Sequence, residues 1–75
     1  MFEKIKEIIL NYVDVEPETI TEDSEFISDL GFNSYDFMSF LGELEDEFEI
    51  EINERDALNI HTVGEAAEYI KSLQE

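Results

Sequence analysis

The chain has 75 residues, and its 21 Asp and Glu against four Lys and Arg give a formal net charge of −17 at pH 7. Such a charge repels phosphate backbones and anionic lipid headgroups, so nucleic acid and membrane insertion are not expected, whereas basic protein surfaces are the natural partners. The absence of cysteine excludes disulfides, thiolate metal sites and thiol nucleophiles.

The length allows one domain, residues 1–75, and the apolar fraction of 43% is sufficient for a folded core. No positively charged apolar leader and no apolar run long enough to cross a bilayer is visible in the sequence. We therefore expect a monomeric cytoplasmic protein.

The first predicted helix covers residues 2–13, where apolar residues recur three or four positions apart from Phe2 to Val13. Residues 14–33 are predicted to form a long connection, because Pro17 disfavours helix at the residue before it. One short turn is expected near residues 18–20, and Gly31 is a candidate for positive φ. Five apolar residues predict that this loop packs on the core: Val15, Ile20, Phe26, Ile27 and Leu30.

The second predicted helix runs from Ser34 to Phe48, with a buried face made of Phe37, Phe40 or Leu41, Leu44 and Phe48. An extended segment at residues 50–52 precedes a short third helix, residues 54–58, capped by Asn53. Threonine stands three places before glutamate in residues 62–65, which is a capping box for a fourth helix ending near Leu73. The predicted fold class is all-α: a small four-helix bundle of three main helices and a short third one, with a long loop between helices 1 and 2.

Ser34 allows two interpretations. A serine at a helix start is commonly an N-cap, because its oxygen accepts a hydrogen bond from a free backbone N–H. Asn33 is an equally good cap, and in that case the Ser34 hydroxyl is free near the positive end of the helix dipole. A phosphodiester attached there would be stabilised by the dipole and by the free N–H groups.

The sequence offers no equipment for catalysis. His61 is the single histidine, and no Gly-x-Ser-x-Gly elbow surrounds Ser34, so a serine nucleophile is not expected. His61 reads as a polar loop residue, and no metal site is predicted from the spacing of the carboxylates. Tyr35 and Met38 lie near Ser34 on the second helix, either as exposed docking contacts or as residues at the edge of the core.

With these residues identified, the chain closely resembles the acyl carrier proteins over nearly all of its length. The resemblance is carried by Asp29-Leu30-Gly31 followed two residues later by Ser34, by the acidic second helix through residues 44–50, and by residues 62–66 with Tyr69 and Ile70.

The resemblance implies that Ser34 is esterified by 4′-phosphopantetheine, transferred from coenzyme A by a magnesium-dependent holo-synthase, a phosphopantetheinyl transferase. The terminal thiol of that arm holds acyl chains as thioesters for fatty-acid or related biosynthetic enzymes, and the bundle can part to shelter them. By the same resemblance the second helix docks on basic patches of these enzymes. The implied contacts are apolar at Tyr35 and Met38 and acidic at Asp36, Glu43, Glu45 and Asp46.

Two positions depart from the family pattern. The residue before the serine is usually aspartate, and the family's carboxylate engages the modifying enzyme or its metal. Asn33 keeps the capping geometry but lacks the charge, so we expect either slower modification or the need for a different synthase. Gly42 stands where a larger apolar residue is common, which predicts a changed acyl groove or partner footprint. Two alternatives stay open: an unmodified acidic interaction module that retains the carrier fold, and a carrier of a polyketide or amino-acyl unit.

Overall fold

A computed structural model describes residues 1–74. The described chain is helical, as predicted, with three longer helices, one short third helix and a 3₁₀ turn at Pro17–Thr19. The helices are α1 (Phe2–Ile9), α2 (Ser34–Phe48), α3 (Glu54–Ala57) and α4 (Val63–Gln74).

Helix α1 ends earlier than the predicted residue 13. Beyond Ile9 the backbone forms a tighter turn, in which the amide of Tyr12 donates a hydrogen bond to the carbonyl of Ile9, three residues earlier, at 3.0 Å. Tighter turns of this kind satisfy the last carbonyl groups of a helix. The turn directs the Tyr12 ring against Phe32 and Phe40, at centroid distances of 5.8 and 6.1 Å. The apolar periodicity therefore identified the buried face correctly but not the end of the helix.

The connection between α1 and α2, residues 10–33, is mostly exposed and is anchored to the core at a few apolar residues. Three of its predicted core residues are buried, namely Ile20, Phe26 and Leu30. Val15 is half-buried, but the prediction for Ile27 is wrong, because this residue is 56% exposed. Phe32, which the sequence pattern did not single out, is buried instead.

Phe40 on α2 occupies the centre of an aromatic cluster. Its ring lies 5.1 Å from that of Phe26 and 5.3 Å from that of Phe32, and Phe37 lies 6.4 Å away. Phe40, Leu41 and Leu44 are buried as predicted, whereas Phe37 and Phe48 are only half-buried. The isoleucines of α1 and the apolar face of α4 complete the core around this cluster: Ile5, Ile8, Ile9, Val63, Ala66 and Ile70.

The predicted capping box at the start of α4 is confirmed. The amide of Glu65 donates to Thr62 Oγ1 at 3.1 Å, and Glu65 Oε1 accepts from the amides of Thr62 and His61 at 3.0 and 2.7 Å. These backbone hydrogen bonds lower the pKa of the Glu65 carboxyl below its usual value. The loop between α1 and α2 is hydrogen-bonded to the same segment, because the amide of Phe26 donates to the carbonyl of His61 at 3.0 Å.

We predict that Glu65→Gln destabilises the protein at pH 7 and that the deficit relative to wild type shrinks in acid. The folded-state pKa of Glu65 is lowered, so its contribution to stability is present above its unfolded-state pKa and is lost as pH falls through the folded-state value. Urea unfolding of both proteins at pH 7 and at several lower pH values measures the difference in their free energies of unfolding. Glu68→Gln, at an exposed position of the same helix, is the control. A deficit that is independent of pH would contradict the assignment.

Candidate attachment site and adjoining cavity

Ser34 is the first residue of α2, and its hydroxyl takes no part in the helix cap. Asn33 is the N-cap residue, with Oδ1 accepting from the amide of Asp36 at 2.7 Å. The interpretation of Ser34 as the capping residue is thereby excluded. Ser34 is exposed, in the first turn of a fifteen-residue helix where free N–H groups and the positive end of the dipole face outward.

The segment before Ser34 is fixed by buried anchors on both sides of a left-handed glycine. Gly31 has a φ of 84°, as predicted, and the side chains of Leu30 and Phe32 on either side of it are buried. The amide of Phe32 donates to the carbonyl of Phe26 at 2.9 Å. Asp29 closes the preceding turn, because its Oδ2 accepts from the amide of Glu25 at 2.8 Å. The position of the Ser34 hydroxyl is therefore set by the core rather than by a free loop.

A cavity of about 610 Å³ adjoins Ser34. Three parts of the chain form it: loop residues 25–28, the first five residues of α2, and α3 with the residues up to 61. The lining is mainly apolar, with Phe26, Phe37 and Ile60 at buried or half-buried positions. Its volume falls within the ~300–1,000 Å³ typical of small-molecule sites. An exposed hydroxyl and an apolar space thus share one end of the molecule.

The two apolar residues predicted beside Ser34 face solvent. Tyr35 is 80% exposed, which excludes its interpretation as an edge-of-core residue. Met38 is 54% exposed and also lines the cavity, and its role as a docking contact stays a prediction. Asp36, between them, is half-buried.

The acidic residues predicted as docking contacts differ in how they are held. Tyr12 donates its phenol hydrogen to Glu43 Oε1 at 2.6 Å, and burial together with this bond raises the pKa of Tyr12 to about 12. Glu45 Oε2 accepts from the amide of Ile52 at 2.8 Å, which fixes the segment after α2. Asp46 is exposed. Glu43 and Glu45 therefore have structural partners within the fold.

Gly42 lies on α2 between Met38 and Asp46. A Cβ built at Gly42 would meet no atom within 4 Å, so internal packing does not require glycine there. Gly42 is not among the described residues that line the cavity. Direct contact between Gly42 and the cavity therefore does not support the expected change of the acyl groove. The expected change of the partner footprint stays a prediction.

Sequence reasoning gave no part in a site to the cavity residues from the loop and from residues 54–61, among them Ile27, Ser28, Leu58 and His61. Leu58 was placed at the end of the third helix without a function, although it is 77% exposed. The sequence did contain a signal for an exposed apolar residue here, because Leu58 directly follows a short, mainly charged helix. His61, read as a polar loop residue, is exposed and lies 3.6 Å from Glu65 Oε1 through Nδ1.

Two further searches cover residues 1–74 only. Within that range no group of three or more His, Asp or Glu side chains is placed to hold a metal ion. The helices of the same range all lack the length and apolar character needed to span a membrane.

Comparison with known proteins places the chain in a class. A family described as "Phosphopantetheine attachment site" matches residues 3–70. The fold is also similar to that of the acyl carrier protein from Enterococcus faecalis, with 42% sequence identity, 96% coverage of this chain, 91% coverage of that chain and a TM-score of 0.84. The chain therefore belongs to the acyl carrier protein family, and it is a carrier protein of the phosphopantetheine-attachment type.

Proposed function

We propose that the chain, acting as one domain, tethers acyl intermediates as thioesters on a 4′-phosphopantetheine arm attached to Ser34. The observation that carries the proposal is the exposed Ser34 hydroxyl at the start of α2, directly beside an apolar cavity. The fold supplies a fixed attachment point, and the chain itself performs no catalysis.

The residues around Ser34 fit such an arm. A phosphodiester on the hydroxyl would lie at the N-terminus of α2, where free backbone N–H groups and the helix dipole stabilise negative charge. Asn33 uses its side chain to cap the amide of Asp36, which leaves the other first-turn amides available. When bound, the arm supplies the terminal thiol that holds the acyl group. Ser34 and α2 anchor the arm, and the cavity walls exclude water from an acyl chain that enters the cavity.

The cavity lining supports an aliphatic acyl chain in preference to an amino-acyl unit. Phe26, Phe37 and Ala57 contribute apolar walls, and burying a methylene group stabilises by roughly 0.8 kcal/mol. A charged ammonium group placed against these three walls would lose hydration, because the carboxylates of the lining, Glu25 and Glu54, are at exposed positions and not among the apolar walls. The cargo that we propose is therefore a fatty-acyl or similar apolar intermediate.

The partners that we propose are a phosphopantetheinyl transferase and acyl-synthesising enzymes with basic docking patches. The exposed side of α2 offers an apolar pair, Tyr35 and Met38, next to acidic side chains at Asp36, Glu43, Glu45 and Asp46. Attachment to one carrier gives the cargo a high effective concentration at each enzyme visited. We place this activity in the cytoplasm.

Incubation with coenzyme A, Mg²⁺ and a broad-specificity phosphopantetheinyl transferase tests the proposal. We expect the intact mass of the protein to rise by one phosphopantetheine, and peptide mapping to place the added mass on the segment containing Ser34. A folded protein that gains no mass with several transferases would refute the proposal and support an unmodified interaction module.

We predict that Asn33→Asp speeds this modification while leaving the cap of α2 in place. Aspartate and asparagine cap helices about equally well, so stability should change little. One additional exposed charged contact is worth up to ~1 kcal/mol, which corresponds to about a fivefold rise in kcat/KM. The transfer rate and the melting temperature of both proteins provide the test. Equal rates would show that the missing carboxylate has no effect.

A further inference from the structure

Two phenylalanine rings line the cavity on the side that faces the core. Phe26 comes from the loop and Phe37 from α2, and their ring centroids lie 5.2 Å apart with the planes at 47°. Phe26 is buried, whereas Phe37 is half-buried and keeps part of its surface at the cavity. We refer to Phe26 and Phe37 together as the aromatic floor of the cavity.

A second layer of rings supports the aromatic floor from behind. The ring of Phe26 lies 5.5 Å from that of Phe32 and 5.1 Å from that of Phe40, and the ring of Phe37 lies 6.4 Å from that of Phe40. Phe32 and Phe40 are buried and are not among the described residues that line the cavity. Aromatic pairs at these distances attract one another beyond the area that they bury, and a close-packed interior leaves little room for a ring to move. The floor is therefore a fixed boundary of the cavity.

Other parts of the cavity lining can move more easily than the floor. Ile27 is 56% exposed and Leu58 is 77% exposed, so each side chain can rotate into solvent without disturbing the core. An apolar chain that enters beside Ser34 can thus displace these two side chains but not the floor. The space between Ser34 and the floor then limits how much of the chain is sheltered.

We propose that Phe37 sets the depth of the cavity and so determines the length of acyl chain that the carrier shelters. The inference rests on the proposed function and deepens it, because it gives the cargo a size limit and assigns a residue to that limit. Phe37 is the determinant rather than Phe26, since its ring is the part of the floor that the core does not enclose. Carbon atoms of a chain too long for this space remain in solvent.

The test measures how the melting temperature of the acylated carrier depends on the length of its acyl chain. A broad-specificity phosphopantetheinyl transferase loads the full chain from acyl coenzyme A thioesters, from butyryl to palmitoyl, and intact mass verifies one acylated arm on each protein. Sheltered methylene groups are buried only in the folded state, so each one raises the melting temperature, whereas carbons left in solvent do not. The chain length at which the rise stops reports the depth of the cavity.

Wild type is compared with Phe37→Ala, Phe37→Trp and the control Phe48→Ala. Phe48 is a half-buried phenylalanine on the same helix, but it is not among the described residues that line the cavity. We expect Phe37→Ala to move the length limit to longer chains by about two carbon atoms or more, because the missing ring leaves space behind. Phe37→Trp should move the limit to shorter chains. Phe48→Ala should lower the melting temperature of every form and keep the wild-type limit.

An unchanged limit in both Phe37 variants, or the same shift in Phe48→Ala, would overturn the inference and leave the proposed function standing. A wild-type melting temperature that does not depend on chain length would do the same, because no chain would then be sheltered. If Phe37→Ala does not fold, the direction of the shift in Phe37→Trp decides. A wild-type protein that gains no arm with several transferases would refute the proposed function and the inference with it.

Discussion

Ser34→Ala should give a folded protein that gains no phosphopantetheine at all. The arm requires an oxygen to form its ester, and alanine has none, so the loss is complete rather than partial. The cap of α2 depends on Asn33 Oδ1, and Ser34 is exposed, so the helix should form as in wild type. The expected change in stability is within about 0.5 kcal/mol. Intact mass after transferase treatment and urea unfolding measure the two effects separately.

Ser28→Ala is the matched control for this experiment. Ser28 borders the same cavity and is exposed, but its hydroxyl donates to Glu25 Oε1 at 3.0 Å and lies in the loop instead of at a helix start. We expect Ser28→Ala to be modified at close to the wild-type rate. Residual modification of Ser34→Ala, or its transfer to another serine, would show that the attachment point is misassigned.

Phe40→Ala should destabilise the protein by about 3–5 kcal/mol, because it removes a fully buried ring and leaves a cavity. The Phe40 ring packs against four others, at Tyr12, Phe26, Phe32 and Phe37. A domain of this length has a total stability of roughly 4–11 kcal/mol at typical values per residue. The variant should therefore be substantially unfolded or melt far below wild type.

Urea unfolding followed by circular dichroism is the appropriate measurement for Phe40→Ala. Guanidinium chloride is a salt and would screen the net charge of −17 while it denatures the protein. Met38→Ala, at an exposed position of the same helix, should change stability by less than about 1 kcal/mol. A decrease of less than about 1 kcal/mol in the free energy of unfolding of Phe40→Ala would show that the packing of the surrounding rings does not depend on Phe40.

The sequence was sufficient where local chemistry decides the structure. The start of α2 could be predicted to within one residue because Asn33 and Ser34 are both good caps, and the structure decides for Asn33. The start of α4 could be predicted because Thr62 and Glu65 have the spacing of a capping box. The position of Ser34 followed from these rules and from Gly31. Each of these three predictions depends on residues that lie close together in the chain.

Features that depend on distant parts of the chain were not predictable from spacing. Periodicity extended α1 past Ile9, because it reports which face is buried and does not report how the backbone amides bond. Ile27 was wrongly predicted to face the core and Phe32 was not predicted at all, because an irregular loop has no repeat to show which side chains turn inward. The cavity is assembled from a loop, α2 and α3, so its existence depends on how three segments meet.

The hydrogen bond from Tyr12 to Glu43 restricts a carboxylate that we propose as a docking contact. A glutamate free in solvent samples many rotamers and loses that freedom when it meets a cation, at a cost of about 0.5–1.5 kcal/mol for each side chain immobilised. Here the phenol engages Oε1 and holds the side chain in one orientation before any encounter. For the docking role that we propose for Glu43, part of the cost of ordering this side chain is thus met during folding, and a basic side chain of a partner would find the carboxylate already oriented.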